Sequence, residues 1–191
     1  MQRDFILSLA IEGSYRPIWS AQILDELEYH EAKKLEERLS LARDEATQRA
    51  QDLVTQMRAA FADAEVVGWE PLVGTFGLPD PDDEHVVAAA VIGGAGVIVT
   101  ENTKDFPTKL MPNGIQIMSA REFLRDTVAL APQRGLLAVG QLSARSGRFG
   151  PSLSTDDVLV VLHERYHLVE AVEMMREVAD PTGISDSSNG K

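Results

Sequence analysis

The stretch from Pro79 to Pro107 constrains this chain most, because it sets a run of acids, an apolar run, a glycine break and a second apolar run in immediate succession. Asp80, Asp82, Asp83 and Glu84 stand before Val86-Val87-Ala88-Ala89-Ala90-Val91, so Asp82 or Asp83 is placed to cap a helix running through Val91. Gly93-Gly94-Ala95-Gly96 closes that helix, and Val97-Ile98-Val99-Thr100 follows as a short apolar run suited to a buried strand. A helix feeding a buried strand is α/β grammar. Polar residues from Glu101 to Asp105 come directly after the strand, where α/β proteins place their ligands. If the helix packs on that strand, Asp83, Asn102 and Asp105 converge.

Crowded carboxylates are costly without a counter-cation. A helix N-terminus offsets only about 0.3–1 kcal/mol per charge, whereas a divalent cation can hold several acids ionised in a sheltered cleft. The competing reading is an exposed acidic turn that merely caps the helix. The chain has no cysteine, so disulfides and thiolate sites are excluded and any metal is held by oxygen or imidazole, which points to Mg²⁺ or Mn²⁺. The net charge of −12 repels nucleic acid at long range, so such a substrate requires a local basic patch or a bound cation. Arg121, Arg125, Arg134, Arg145 and Arg148 form the most basic stretch. Arg121 and Arg125 are the candidate phosphate contacts, although a solvated helix face followed by a loop explains the stretch equally well.

Elsewhere helical periodicity dominates. Phe5, Ile6, Leu9 and Ala10 mark a first helix ended by Gly13; Ser20 caps a second with Ile23, Leu24 and Leu27 inward; Ala46, Ala50, Leu53, Val54 and Met57 mark a long third. Residues 65–69 and 115–118 read as further strands, and Ser119 caps a helix that begins at Ala120. Another helix spans 132–143, residues 144–154 read as a linker, and Leu159, Val160, Leu162, Val169, Val172 and Met175 supply the apolar faces of terminal helices. The expected organisation is a main domain over 1–128, a helical appendage over 129–180 and a disordered tail over 181–191. The longest apolar run, Val86 to Val99, is interrupted by Gly93, Gly94 and Gly96 and is too short to span a membrane. The first residues lack the order of a signal peptide, so cytoplasmic residence is expected.

Three ordered motifs carry a family resemblance. Asp83-x-x-Val86-x-Ala88-Ala89, then Gly96-Val97-Ile98-Val99-Thr100, then Asn102-x-x-Asp105-Phe106-Pro107, resembles the second half of a PIN domain. Trp19-Ser20-x-x-Ile23-Leu24-Asp25-Glu26-Leu27 is similar to the family's second-helix motif, in which the Glu before the leucine is a metal ligand. That role passes to Glu26, while Asp25 lies roughly 100° away around the helix. The resemblance covers about residues 3–125 and implies a three-layer α/β domain with a central, mostly parallel sheet, followed here by the helical appendage.

In function the resemblance implies an Mg²⁺- or Mn²⁺-dependent ribonuclease similar to the toxins of toxin–antitoxin pairs. Glu26, Asp83 and Asp105 would be direct or water-mediated ligands, and Thr100 and Asn102 would orient a carboxylate or water. RNA, an antitoxin protein and a second copy of the chain are the implied partners. PIN domains open with an apolar strand ending in Asp, usually the first metal ligand. No such strand precedes the first helix here, so the role is not given to Asp4, and the chain is expected to begin after that strand. A catalytically inactive interaction module is the rival expectation. A remoter one is a zinc peptidase built on His163-Glu164-x-x-His167, which matches a zinc-helix pattern although Arg165 between the histidines is atypical of one. His30 reads as a solvated side chain and His85 as a capping or partner-facing one. Trp69, Phe76 and Phe106 read as core or loop anchors rather than base-stacking platforms.

Overall fold

A computed structural model describes residues 1–147 and 150–180. The described residues form two compact units, one of Pro17–Met118 and one of Met1–Arg16 with those from Ser119 onward.

The first unit opens with two long helices, α2 (Ala21–Leu39) and α3 (Arg43–Ala60). Ser20 caps α2 by accepting the Ile23 amide at 3.2 Å, leaving Leu24 fully buried on the inner face. Helix α3 buries Ala46, Ala50, Val54 and Met57, small or slender residues at helical spacing. The strand expected over 65–69 is not formed: Glu65 makes an isolated parallel bridge with Trp19, and Gly68 then turns the backbone to φ 78°. A left-handed residue so soon after the bridge breaks the extended run.

Helix α4 (Glu84–Gly93) leads into β1 (Val97–Val99), which pairs in parallel with β2 (Gln116–Met118), Ile98 lying opposite Ile117. Gly94, left-handed at φ 68°, ends α4, and the Ala95 amide returns to the Ala90 carbonyl at 2.8 Å. At Gly93 an added Cβ would lie only 2.9 Å from Val66, so glycine is what lets the end of α4 close against the Trp19–Glu65 segment. Val87 and Ala90 pack with Leu78, Ile98 and Phe106, while Ala88 and Ala89 pack with Trp69. Because α4 is apolar on both flanks, it sits within the unit rather than on its surface.

The second unit is helical: α1 (Gln2–Ile11), α5 (Ala120–Leu130), α6 (Pro132–Arg145), α7 (Thr155–Tyr166) and α8 (Val169–Ala179). Phe5 and Leu9 of α1 share one core with Leu124 and Val128 of α5, Val139 of α6, Leu162 of α7 and Val172 and Met175 of α8. The division expected after residue 128 thus falls inside this core, between helices whose apolar faces meet. Gly135 makes room for Met175, whose sulfur would stand 2.7 Å from an added Cβ. Ser119 and Ser154 each form a full capping box, with Glu122 and Asp157. Val160 and Val169, expected to face inward, are exposed at 41% and 39% because α7 and α8 bury other faces. The expected tail over 181–191 lies outside the described residues. The α/β class, with a parallel sheet and a helical C-terminal region, is the one the sequence implies.

Candidate active site

Three elements carry the acids. Asp80 caps a 3₁₀ turn, Pro81–Asp83, by accepting the Asp82 amide at 3.0 Å. Asp83 then occupies the N-cap of α4 without a side-chain capping bond, so the side-chain cap expected there from Asp82 or Asp83 is not made; Asp80 caps the preceding turn. A carboxylate at this position that makes no capping bond remains available to other partners. Half-buried Asp83 has its pKa raised, first by burial and then by the neighbouring charges of Asp80, Asp105 and, more weakly, Glu26; His85 acts in the opposite sense. Asp83 at the start of α4 therefore feels both Glu26 of α2 and Asp105 of the loop after β1.

Beyond β1, the Thr100 amide donates to the Met118 carbonyl at 2.9 Å, and its hydroxyl accepts the Asn102 amide at 3.0 Å. Thr100 thereby shapes the turn that leads to Asp105, while Asn102 is exposed. Buried Phe106 anchors the loop one residue later, as Trp69 does near α4. On α2, Glu26 Oε1 accepts from Gln22 Nε2 at 3.3 Å and lies 3.0 Å from His85 Nε2. Asp25 is exposed.

Two residues of this region do more than the sequence suggested. Glu84 is 3% exposed, and its carboxylate accepts the backbone amides of Phe76 at 3.3 Å, Gly77 at 2.7 Å and Leu78 at 3.2 Å. Burial pushes its pKa up, but these amides outweigh it and hold the group below the ordinary glutamate range. The loop carrying Asp80 is thus tied to the first residue of α4. His85, read as capping or partner-facing, is 2% exposed and meets Glu26 instead. It does point away from Asp83, as a residue two positions along a helix must, but protein lies on that side. The one sequence signal for both is their place at the head of an apolar helix, which cannot name partners in distant segments.

The donor chemistry around Asp83 suits a hard divalent cation, since it is all oxygen and its like charges are mutually unfavourable. Among the described residues, however, no three histidines or acids stand close enough together to hold an ion by themselves.

The basic stretch lies in the helical unit. Arg125 donates to Asp126 at 2.7 Å, and that hydrogen bond raises its pKa further. Arg134 donates to the Gly13 carbonyl, and Arg145 to Ser8 Oγ at 2.6 Å, so both fasten α1. Arg121 is exposed, and Arg148 lies outside the described residues. The zinc-helix pattern dissolves at the end of α7: His163 is in its last turn, while His167 is the left-handed C-cap at φ 54°, so the two imidazoles do not share a helical face. His30 is exposed beside Tyr29.

Acids at a helix N-terminus and beyond the C-terminal end of a parallel strand stand where α/β proteins place their ligands. Residues 2–104 match the family described as PIN domain, and the chain belongs to that family. Glu26, Asp83, Thr100 and Asn102 lie within the match and Asp105 directly after it. Searches of curated proteins and of solved structures found no match. Family members generally use divalent metal ions. No helix among the described residues is long and apolar enough to cross a membrane.

Proposed function

We propose that this chain carries the site of a metal-dependent ribonuclease of PIN type, the toxin of a toxin–antitoxin pair. Glu26, Asp83 and Asp105 are its cation ligands, direct or through water. The observation that carries this reading is the raised pKa of Asp83, to which acids from two other segments contribute. Evolution has no stability reason to gather like charges at a half-buried position, so their proximity points to a cation. When bound, Mg²⁺ or Mn²⁺ supplies Lewis acidity towards water and charge compensation on the phosphate. The chain's own residues hold and orient: Thr100 fixes the loop of Asn102 and Asp105, Glu84 fixes the loop of Asp80, and Arg121 and Arg125 contact phosphates of the RNA. The antitoxin and a second copy of the chain are the protein partners, and the cytoplasm is the place of action.

The rival reading is an inactive interaction module of the same fold, in which these acids meet a basic partner rather than a metal. One assay separates the two: cleavage of a mixed RNA pool with Mg²⁺ or Mn²⁺ by this chain and by its Asp83→Asn variant. Cleavage that Asp83→Asn abolishes supports the nuclease. No cleavage by either protein supports the interaction module, and cleavage unaffected by Asp83→Asn overturns the site.

A further inference from the structure

The start of α4 sends three consecutive ionisable side chains in three directions, as steps of about 100° around a helix require. Asp83 faces the other acids, Glu84 gathers the amides of residues 76–78, and His85 turns to α2. The nuclease reading leaves His85 without a task, although it is as buried as Glu84. Its ring is 2% exposed and lies 6.0 Å from the Trp69 ring at a tilt of 56°. Nε2 is 3.0 Å from Glu26 Oε1, while Nδ1 is buried without a hydrogen-bond partner.

A carboxylate only accepts, so this contact assigns a hydrogen to Nε2. The opposite tautomer would set a lone pair against the carboxylate and bury an N–H with no acceptor. Gln22 donates to the same Glu26 oxygen at 3.3 Å. Both donors therefore meet at Oε1, and Oε2 is the oxygen to which no described residue donates. The Glu26 side chain is 49% exposed and long, so without a buried donor it would range over several rotamers.

We infer that His85 is a positioning residue for Glu26: its Nε2–H fixes Oε1 and leaves Oε2 to the cation. This rests on the reading of Glu26 as a cation ligand. Ligating carboxylates are held by such outer partners, whose loss weakens metal binding by about 10- to 100-fold.

The test uses the full chain and two readouts. Long-range ¹H–¹⁵N spectra of the wild type should show His85 as a single Nε2–H tautomer with or without Mg²⁺, and Glu26→Ala should disturb it. An Nδ1–H tautomer, or a spectrum unmoved by Glu26→Ala, overturns the inference. In Mn²⁺ titrations, His85→Leu should weaken binding about tenfold and His85→Gln, which can still donate, should recover it to within about threefold, the unfolding midpoints of both variants reporting intact folding. If Glu26→Ala weakens binding and His85→Leu does not, the positioning role fails while the ligand reading stands. Should Glu26→Ala leave binding unchanged, the ligand reading falls and the inference with it.

Discussion

The two compact units bury different things. Among the described residues of the helical unit the interior is almost wholly apolar, from Phe5 and Leu9 to Leu162 and Met175, with Ser8 and Thr127 its buried polar residues. The α/β unit buries Glu84 and His85 at 3% and 2% exposure beside Ser20. Burying an ionisable group is unfavourable unless every partner is in place, so a core built only for stability excludes such groups. Their concentration at one end of α4 marks the place where stability has been traded for arrangement, and it adjoins the acids that raise the pKa of Asp83.

The contrast can be broken first in the helical core. Leu162→Ala, at a fully buried position, should cost about 2–5 kcal/mol in urea unfolding, and a loss below about 1 kcal/mol would deny that the five helices share one core. The next effect belongs to the α/β unit and depends on pH. Because the folded pKa of Glu84 is depressed, its contribution is present above the ordinary glutamate range and is lost as pH falls through the folded value. Acidification should therefore lower the unfolding midpoint of the wild type more than that of Glu84→Gln. Parallel curves for the two proteins would remove Glu84 from the account of the loop. Smallest is a capping change: Ser154→Ala should cost about 1 kcal/mol through loss of the box with Asp157, and no change would show that α7 does not depend on its cap.

Much of this was legible from local pattern. The acids before α4, the glycine break, both strands of the parallel pair and the caps Ser20 and Ser119 follow from residue types a few positions apart. Hidden from that view was everything set by distant partners. The periodicity of α1 shows an apolar face, but not that Phe5 would join one core with residues of α5, α6, α7 and α8 more than a hundred residues away. The run at 65–69 has strand-forming residues, yet it pairs only through one bridge and then turns at Gly68. His85 could be directed away from Asp83 by counting helical steps. That Trp69 and Glu26 would enclose it there depends on how α2 and the segment before α4 pack.

For the central claim, that Glu26, Asp83 and Asp105 act as one cation site, the most direct measurement is Mn²⁺ binding followed by electron paramagnetic resonance in the wild type and in Glu26→Gln, Asp83→Asn and Asp105→Asn. Each substitution should weaken the same binding event, Asp83→Asn most of all because its charge is coupled to both others. Binding that survives all three substitutions unchanged would contradict it.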